Sequence, residues 1–147
     1  IIKKSTDILK ELEIPFEVHV YSAHRTPEEA REFSANAREN GFGVLIAAAG
    51  MAAHLAGAIA ANTTIPVIGI PCKSAAFDGM DALLSTVMMP SGIPVATVAV
   101  DGGKNAALLA AEILAVADDK LAKVLDERRK AEAEAVLKKD ADIMSRL

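Results

Sequence analysis

Hydrophobic and polar positions along this chain follow two periods in alternation, and that alternation predicts the architecture. Ile2, Ile8, Leu9 and Leu12 share one helical face while Lys3, Lys4 and Glu11 stay off it, so residues 1–12 are predicted to form an amphipathic helix that closes near Pro15. In residues 16–21 (FEVHVY) apolar and polar side chains alternate among β-forming residues, which predicts a strand. A helix follows over 27–40, stopped by Gly41. Residues 44–49 (VLIAAA), 66–71 (PVIGIP) and 94–100 (PVATVAV) are almost wholly apolar, as expected for strands covered on both faces. Between and after them the spacing predicts a small-residue helix over 52–61, a short helix over 79–87, an Ala- and Leu-rich helix from 104 to about 116, and a second helical stretch from about 119 to 139.

Strand and helix in alternation mean α/β: a three-layer, flavodoxin-like domain whose parallel sheet is joined by right-handed crossovers. The opening helix needs a strand to cross over from, so a first strand and its loop are expected to be missing from this chain. There is no repeat, linker or low-complexity segment, and residues 1–147 read as one domain with a C-terminal helical extension from about 119. Segment 126–147 is too charged for a core helix and is expected to be a solvated or subunit-bridging tail. The apolar face of 106–116 looks larger than one small sheet can cover, which predicts self-association.

Candidate chemistry lies in the turn between the 16–21 strand and the helix after it. Thr26 suits the N-cap, Pro27 the first helical position and Glu29 the third residue past the cap, which leaves Ser22-Ala23-His24-Arg25 in the turn. Turns past the carboxyl ends of parallel strands form the ligand crevice, so His24 and Arg25 are expected to face substrate. A guanidinium matches phosphate or carboxylate oxygens, and an imidazole titrates near neutrality, so the pair suits proton transfer on an anionic substrate. The bland reading is a turn histidine bonded to nearby backbone beside a solvated arginine; position at a strand end argues against it.

At the next strand end, Ala48-Ala49-Gly50-Met51-Ala52-Ala53-His54-Leu55 offers small side chains that let a ligand approach backbone N–H groups. Tight helix packing explains those alanines equally well. His54 taken alone reads as structural, and so does His19 in mid-strand. Lys73-Ser74 and Ser91-Gly92 could line the same crevice, but such residues are ordinary in turns.

Composition narrows the class. Apolar residues make up 52% of the 147, enough for a sizeable core, yet aromatics are only 3%, too few for base-stacking platforms. A net charge of -4 also argues against a nucleic-acid partner. Cys72 is the single cysteine, which excludes an internal disulfide framework and fits a reducing compartment. With no long apolar span or leader in the sequence, no membrane association and a soluble, cytoplasmic protein are expected. Dinucleotide, P-loop and zinc motifs are all absent, three scattered histidines do not make a metal ligand set, and Ser22 lacks the Gly-x-Ser-x-Gly elbow of a nucleophile.

Ser22-Ala23-His24-Arg25-Thr26, Ala49-Gly50-Met51-Ala52-Ala53-His54-Leu55, Met89-Pro90-Ser91-Gly92-Ile93-Pro94 and the run from Asn105 to Ala111 together resemble the N5-carboxyaminoimidazole ribonucleotide mutase family of purine biosynthesis. The resemblance implies a homo-octamer of flavodoxin-like subunits that needs no metal or nucleotide cofactor. It implies transfer of a carboxylate from the exocyclic nitrogen of an aminoimidazole ribonucleotide to the ring carbon, by decarboxylation and recapture of CO2. His24 would shuttle the proton and Arg25 would help hold the phosphate, while Ser22, Ala23, Ala49, Gly50, Ala52, His54 and Leu55 would contact substrate. The family usually has glycine where this chain has Met51 and proline where it has Ala56, and its Gly-Ser-x-Ser-Asp phosphate loop would precede the first helix. One branch carboxylates the ring directly with CO2; it typically carries lysine at the place of Arg25 and lacks the His54 segment, so Arg25 and His54 favour the mutase. A receiver-like signalling module shares the expected fold but needs several acids at strand ends, where only Asp101 is found.

Overall fold

The computed structural model describes residues 1–144. Helix α1 (Ile2–Glu11) and helix α2 (Pro27–Asn36) come first, then strand β1 (Leu45–Gly50), helix α3 (Leu55–Ala60), strand β2 (Val67–Cys72), helix α4 (Met80–Val87), strand β3 (Ala96–Thr97), helix α5 (Gly103–Ala115) and helix α6 (Asp119–Met144). The three strands are parallel in the order β1-β2-β3, with Leu45 opposite Val67 and Gly50 opposite Cys72. Because side chains alternate across a strand, each face of this sheet collects its own set. Leu45, Ala47 and Val67 pack with Ala56, Ile59 and Ala60 of α3, whereas Ile68 and Ile70 pack with Ala106 and Ala110 of α5. Helices therefore cover both faces, and the α/β three-layer expectation is met. Ile68 and Ile70 are fully buried, and such burial stabilises by about 1.5–3 kcal/mol per side chain.

Close helix-on-sheet packing explains the small residues. A Cβ on Gly69 would lie 2.4 Å from Thr86 Cγ2 of α4 and 3.1 Å from Val95 Cγ1, so α4 rests directly on the β2 backbone. On the other face, α1 docks on α5 through Ile8, Leu9, Leu12, Ala107 and Ala111, and the buried Ser5 hydroxyl donates to the Gly103 carbonyl at 2.8 Å. Helix α6 is tied down at its near end, where Arg128 bonds Glu11 and Arg129 bonds Glu112 at 2.7 Å. Beyond that, residues 129–143 are exposed. The last part of the tail expected over 126–147 lies outside the described residues.

Several expectations change. Residues 16–21 form no strand, because β1 bonds to β2 on one side only and no neighbouring backbone among the described residues offers 16–21 a ladder; Val20 is 95% exposed. His19 and Tyr21 instead stack at 5.2 Å and lean on Phe33 of α2. The third strand shrinks to Ala96–Thr97 and lies at an edge, so it is not buried on both faces. In α1, Ile2 is exposed and Ser5 takes its place among the buried residues. Ala106, Ala107, Ala110 and Ala111 of α5 are buried within the chain, Leu108, Leu109, Ile113 and Leu114 are half-buried and Val116 is exposed; a longer exposed apolar stripe lies on α4.

Gly69→Ala should lower stability by about 1–3 kcal/mol, since the new methyl has to displace Thr86. Urea unfolding measures it, and an unchanged midpoint would mean α4 does not press on β2.

Candidate active site

Hydroxyl groups build the turn that presents His24. Ser22 Oγ accepts from the backbone N–H of Arg25 at 3.2 Å and of His24 at 3.4 Å. Thr26 holds the N-cap position with Pro27 behind it, but its side chain makes no cap bond to α2. Its hydroxyl accepts from the Ser22 N–H at 2.8 Å and donates to the Ser22 carbonyl at 3.3 Å. The expected capping box with Glu29 is thus replaced by a closed Ser22–Thr26 loop, because the turn's own amides lie nearer to these hydroxyls than those of the helix.

The second turn begins where β1 ends. Met51 is left-handed at φ 55, and Ala53 N–H donates to the Gly50 carbonyl at 3.1 Å. His54 then N-caps α3, its carbonyl accepting from Ala58 N–H at 2.9 Å. This short turn carries the His54 ring to the first turn, where His54 Nδ1 lies 2.8 Å from His24 Nε2 with the rings edge-on at 68°. Both rings are exposed, Ser22, Ala23, Ala49 and Leu55 are half-buried, and Gly50 and Ala52 are open to solvent. The exposed Arg25 guanidinium has no partner among the described residues. His54, which reads as structural when taken alone, is therefore the direct partner of His24.

Other candidates stand apart. Lys73 Nζ pairs with Asp78 at 3.0 Å and the Ser74 hydroxyl donates to Asp81 at 3.1 Å, so that loop satisfies itself. Gly92 borders a cleft of about 860 Å³ with Arg38, Thr64 and Pro66, near the amino ends of the strands and away from the histidines. His19 bonds Glu17 and Tyr21, both at 3.2 Å. Among the described residues no three His, Cys, Asp or Glu side chains converge as a metal site would require.

Asp101 has a part that no sequence period signals. Left-handed at φ 57, it accepts from Lys73 N–H at 2.9 Å while its own N–H donates to the Pro71 carbonyl at 2.9 Å, strapping the ends of β2 and β3 together. Burial, and then the nearby Asp101 carboxylate, push the Cys72 thiol above its ordinary value. That shift favours the protonated thiol over the thiolate, the form a nucleophile needs.

An open parallel α/β sheet whose β1 end brings His54 against His24, with the Arg25 guanidinium exposed beside them, is the arrangement of a small-molecule enzyme. Comparison with known proteins gives the family: a model of AIR carboxylase matches residues 1–135, and the chain belongs to that family. It is 54% identical over 138 residues to N5-carboxyaminoimidazole ribonucleotide mutase of Bacillus subtilis, covering 92% of this chain and 85% of that one. The protein of the same name from Escherichia coli is 51% identical over 135 residues, covering 90% and 80%. Among solved structures, Treponema denticola PurE superposes with a TM-score of 0.84 at 29% identity, covering 95% of this chain and 87% of that one.

The φ of 55 at Met51 accounts for the usual glycine there, since a side chain in that region costs about 1–2 kcal/mol. Met51→Gly should raise stability by about 1 kcal/mol or slightly less, part of the relief being offset by the entropy glycine loses on folding. Thermal unfolding compared with wild type tests it; a lower midpoint would show the turn to be unstrained.

Proposed function

We propose that this chain converts N5-carboxyaminoimidazole ribonucleotide to 4-carboxy-5-aminoimidazole ribonucleotide in de novo purine biosynthesis. The observation that carries the reading is the exposed His24, bonded at 2.8 Å to His54 and followed directly by Arg25, whose guanidinium has no partner among the described residues. Relatives that bear the mutase name at about half identity support it.

In this reaction the exocyclic N–C bond breaks, CO2 departs, and the electron pair left on nitrogen takes a proton from His24. The ring carbon then attacks CO2, and His24, now a base, removes the proton from that carbon. One imidazole serves both transfers because giving up its proton in the first leaves it as the base the second requires. Arg25 supplies a guanidinium for the ribonucleotide phosphate. Ser22, Ala23, Ala49, Gly50, Ala52 and Leu55 flank the ring and its carboxylate, the alanines and the glycine among them leaving room for close approach, and His54 completes the site through its bond to His24. The scheme draws on no metal or nucleotide cofactor. Direct carboxylation of the aminoimidazole is less well supported, given Arg25 and His54.

The same proposal includes assembly into a cytoplasmic homo-octamer, with residues 1–147 as one domain from which α6 extends. Phe77, Met80, Leu84, Val87 and Met88 form an exposed stripe along α4, and an apolar stripe of this kind favours burial against another copy. No helix among the described residues is long and apolar enough to cross a membrane.

His24→Asn should leave folding and ribonucleotide binding nearly intact and lower turnover by ~10²–10⁴-fold. The assay mixes the variant with N5-carboxyaminoimidazole ribonucleotide and follows the C-carboxylated product; near-wild-type turnover would remove His24 from the chemistry. Arg25→Ala should weaken ribonucleotide binding by ~1.5–3 kcal/mol, measured by titration calorimetry. Unchanged affinity would take Arg25 out of the phosphate site.

A further inference from the structure

We propose that His54 is a positioning residue for His24: its bare Nδ1 accepts a hydrogen bond from His24 Nε2–H throughout the reaction, so that only His24 Nδ1 exchanges protons with substrate. This deepens the reading above, in which His24 moves the proton.

The polarity follows from the contact. At 2.8 Å one of the two facing nitrogens donates and the other accepts. To act as an acid His24 must be an imidazolium, which carries N–H on both ring nitrogens. Were His54 also to carry a proton on Nδ1, two N–H groups would meet head to head. His54 therefore holds its proton on Nε2 and presents a lone pair. The bond is then charge-assisted while His24 is protonated, and it persists once His24 is neutral.

The proton count closes without any further acid or base. His24 imidazolium gives its Nδ1 proton to the substrate nitrogen as CO2 leaves, and keeps Nε2–H on His54. The neutral ring now has a bare Nδ1, which takes the ring-carbon proton after CO2 has bonded. His24 ends as it began, and His54 never changes protonation.

The backbone is built for the task. His54 is fixed as the N-cap of α3, with the Gly50–Ala53 bond at 3.1 Å closing the turn before it. The His24 amide is held by Ser22 Oγ. Both partners of the bond are thus anchored through their backbones on separate turns, one before α2 and one past β1, which suits the pattern of a base oriented by a third group.

The test uses wild type, His54→Phe and His54→Asn with ¹⁵N-labelled imidazoles. Long-range ¹H–¹⁵N correlation above neutral pH should show wild-type His24 protonated on Nε2 and bare on Nδ1. His54→Phe should give a mixture of tautomers, and His54→Asn, whose Oδ1 can accept, should restore the wild-type tautomer. Turnover of N5-carboxyaminoimidazole ribonucleotide by His54→Phe should fall about 10- to 100-fold, as when other orienting partners of an imidazole are lost, with KM little changed and most of kcat recovered in His54→Asn. Wild-type His24 protonated on Nδ1 would overturn the proposal with turnover intact, and so would a His54→Phe variant that raises KM at unchanged kcat, since His54 would then be touching substrate. A wild-type protein with the expected tautomer but no turnover would instead overturn the assigned reaction. Should His54→Phe not fold, the wild-type spectrum alone decides the polarity on which the proposal stands.

Discussion

Everything in this molecule depends on the β1–β2 ladder being covered on both faces. A parallel pair buried above and below must be apolar on every residue, and helices must approach its backbone closely. Small side chains make that approach possible: Ala56 and Ala60 on one face, Ala106 and Ala110 on the other, with Gly69 under Thr86. The low aromatic content follows from the same constraint, since a large ring between helix and sheet would hold them apart. His19, Tyr21 and Phe42 gather at the flank, around Phe33.

A ladder so thoroughly apolar leaves polar chemistry one place to go, the turns past its strand ends. There the backbone is held in costly conformations, left-handed at Met51, Asp78 and Asp101, the kind of strain that collects at functional sites. Asp101 binds the Lys73 amide and the Pro71 carbonyl, and so ties neighbouring turns into one edge. Ser22 and Thr26 spend their hydroxyls inside their own turn rather than on the helix behind it. His24 and His54 are thereby delivered to a common point from segments thirty residues apart. Flavodoxin-like folds host many unrelated activities, so the family assignment draws its force from these turns and from the match over residues 1–135, not from the sheet.

Much of this was legible in the chain itself. Periodicity located six of the helices and both long strands to within a few residues, because the burial that decides those elements is written in which residues are apolar. Thr26 and Pro27 marked the start of α2 and so left Ser22-Ala23-His24-Arg25 in the turn before it, although the strand expected ahead of that turn does not form among the described residues. Tertiary structure decided the rest. A strand exists only if another backbone lies beside it, so the alternating residues 16–21 form none and the apolar residues 94–100 pair over just two positions. Thr26 had two sets of amides within reach, and only the folded turn selects between them. Whether His54 is structural or a partner of His24 depends on a 2.8 Å contact between two turns, and no local pattern encodes a distance across a sheet edge.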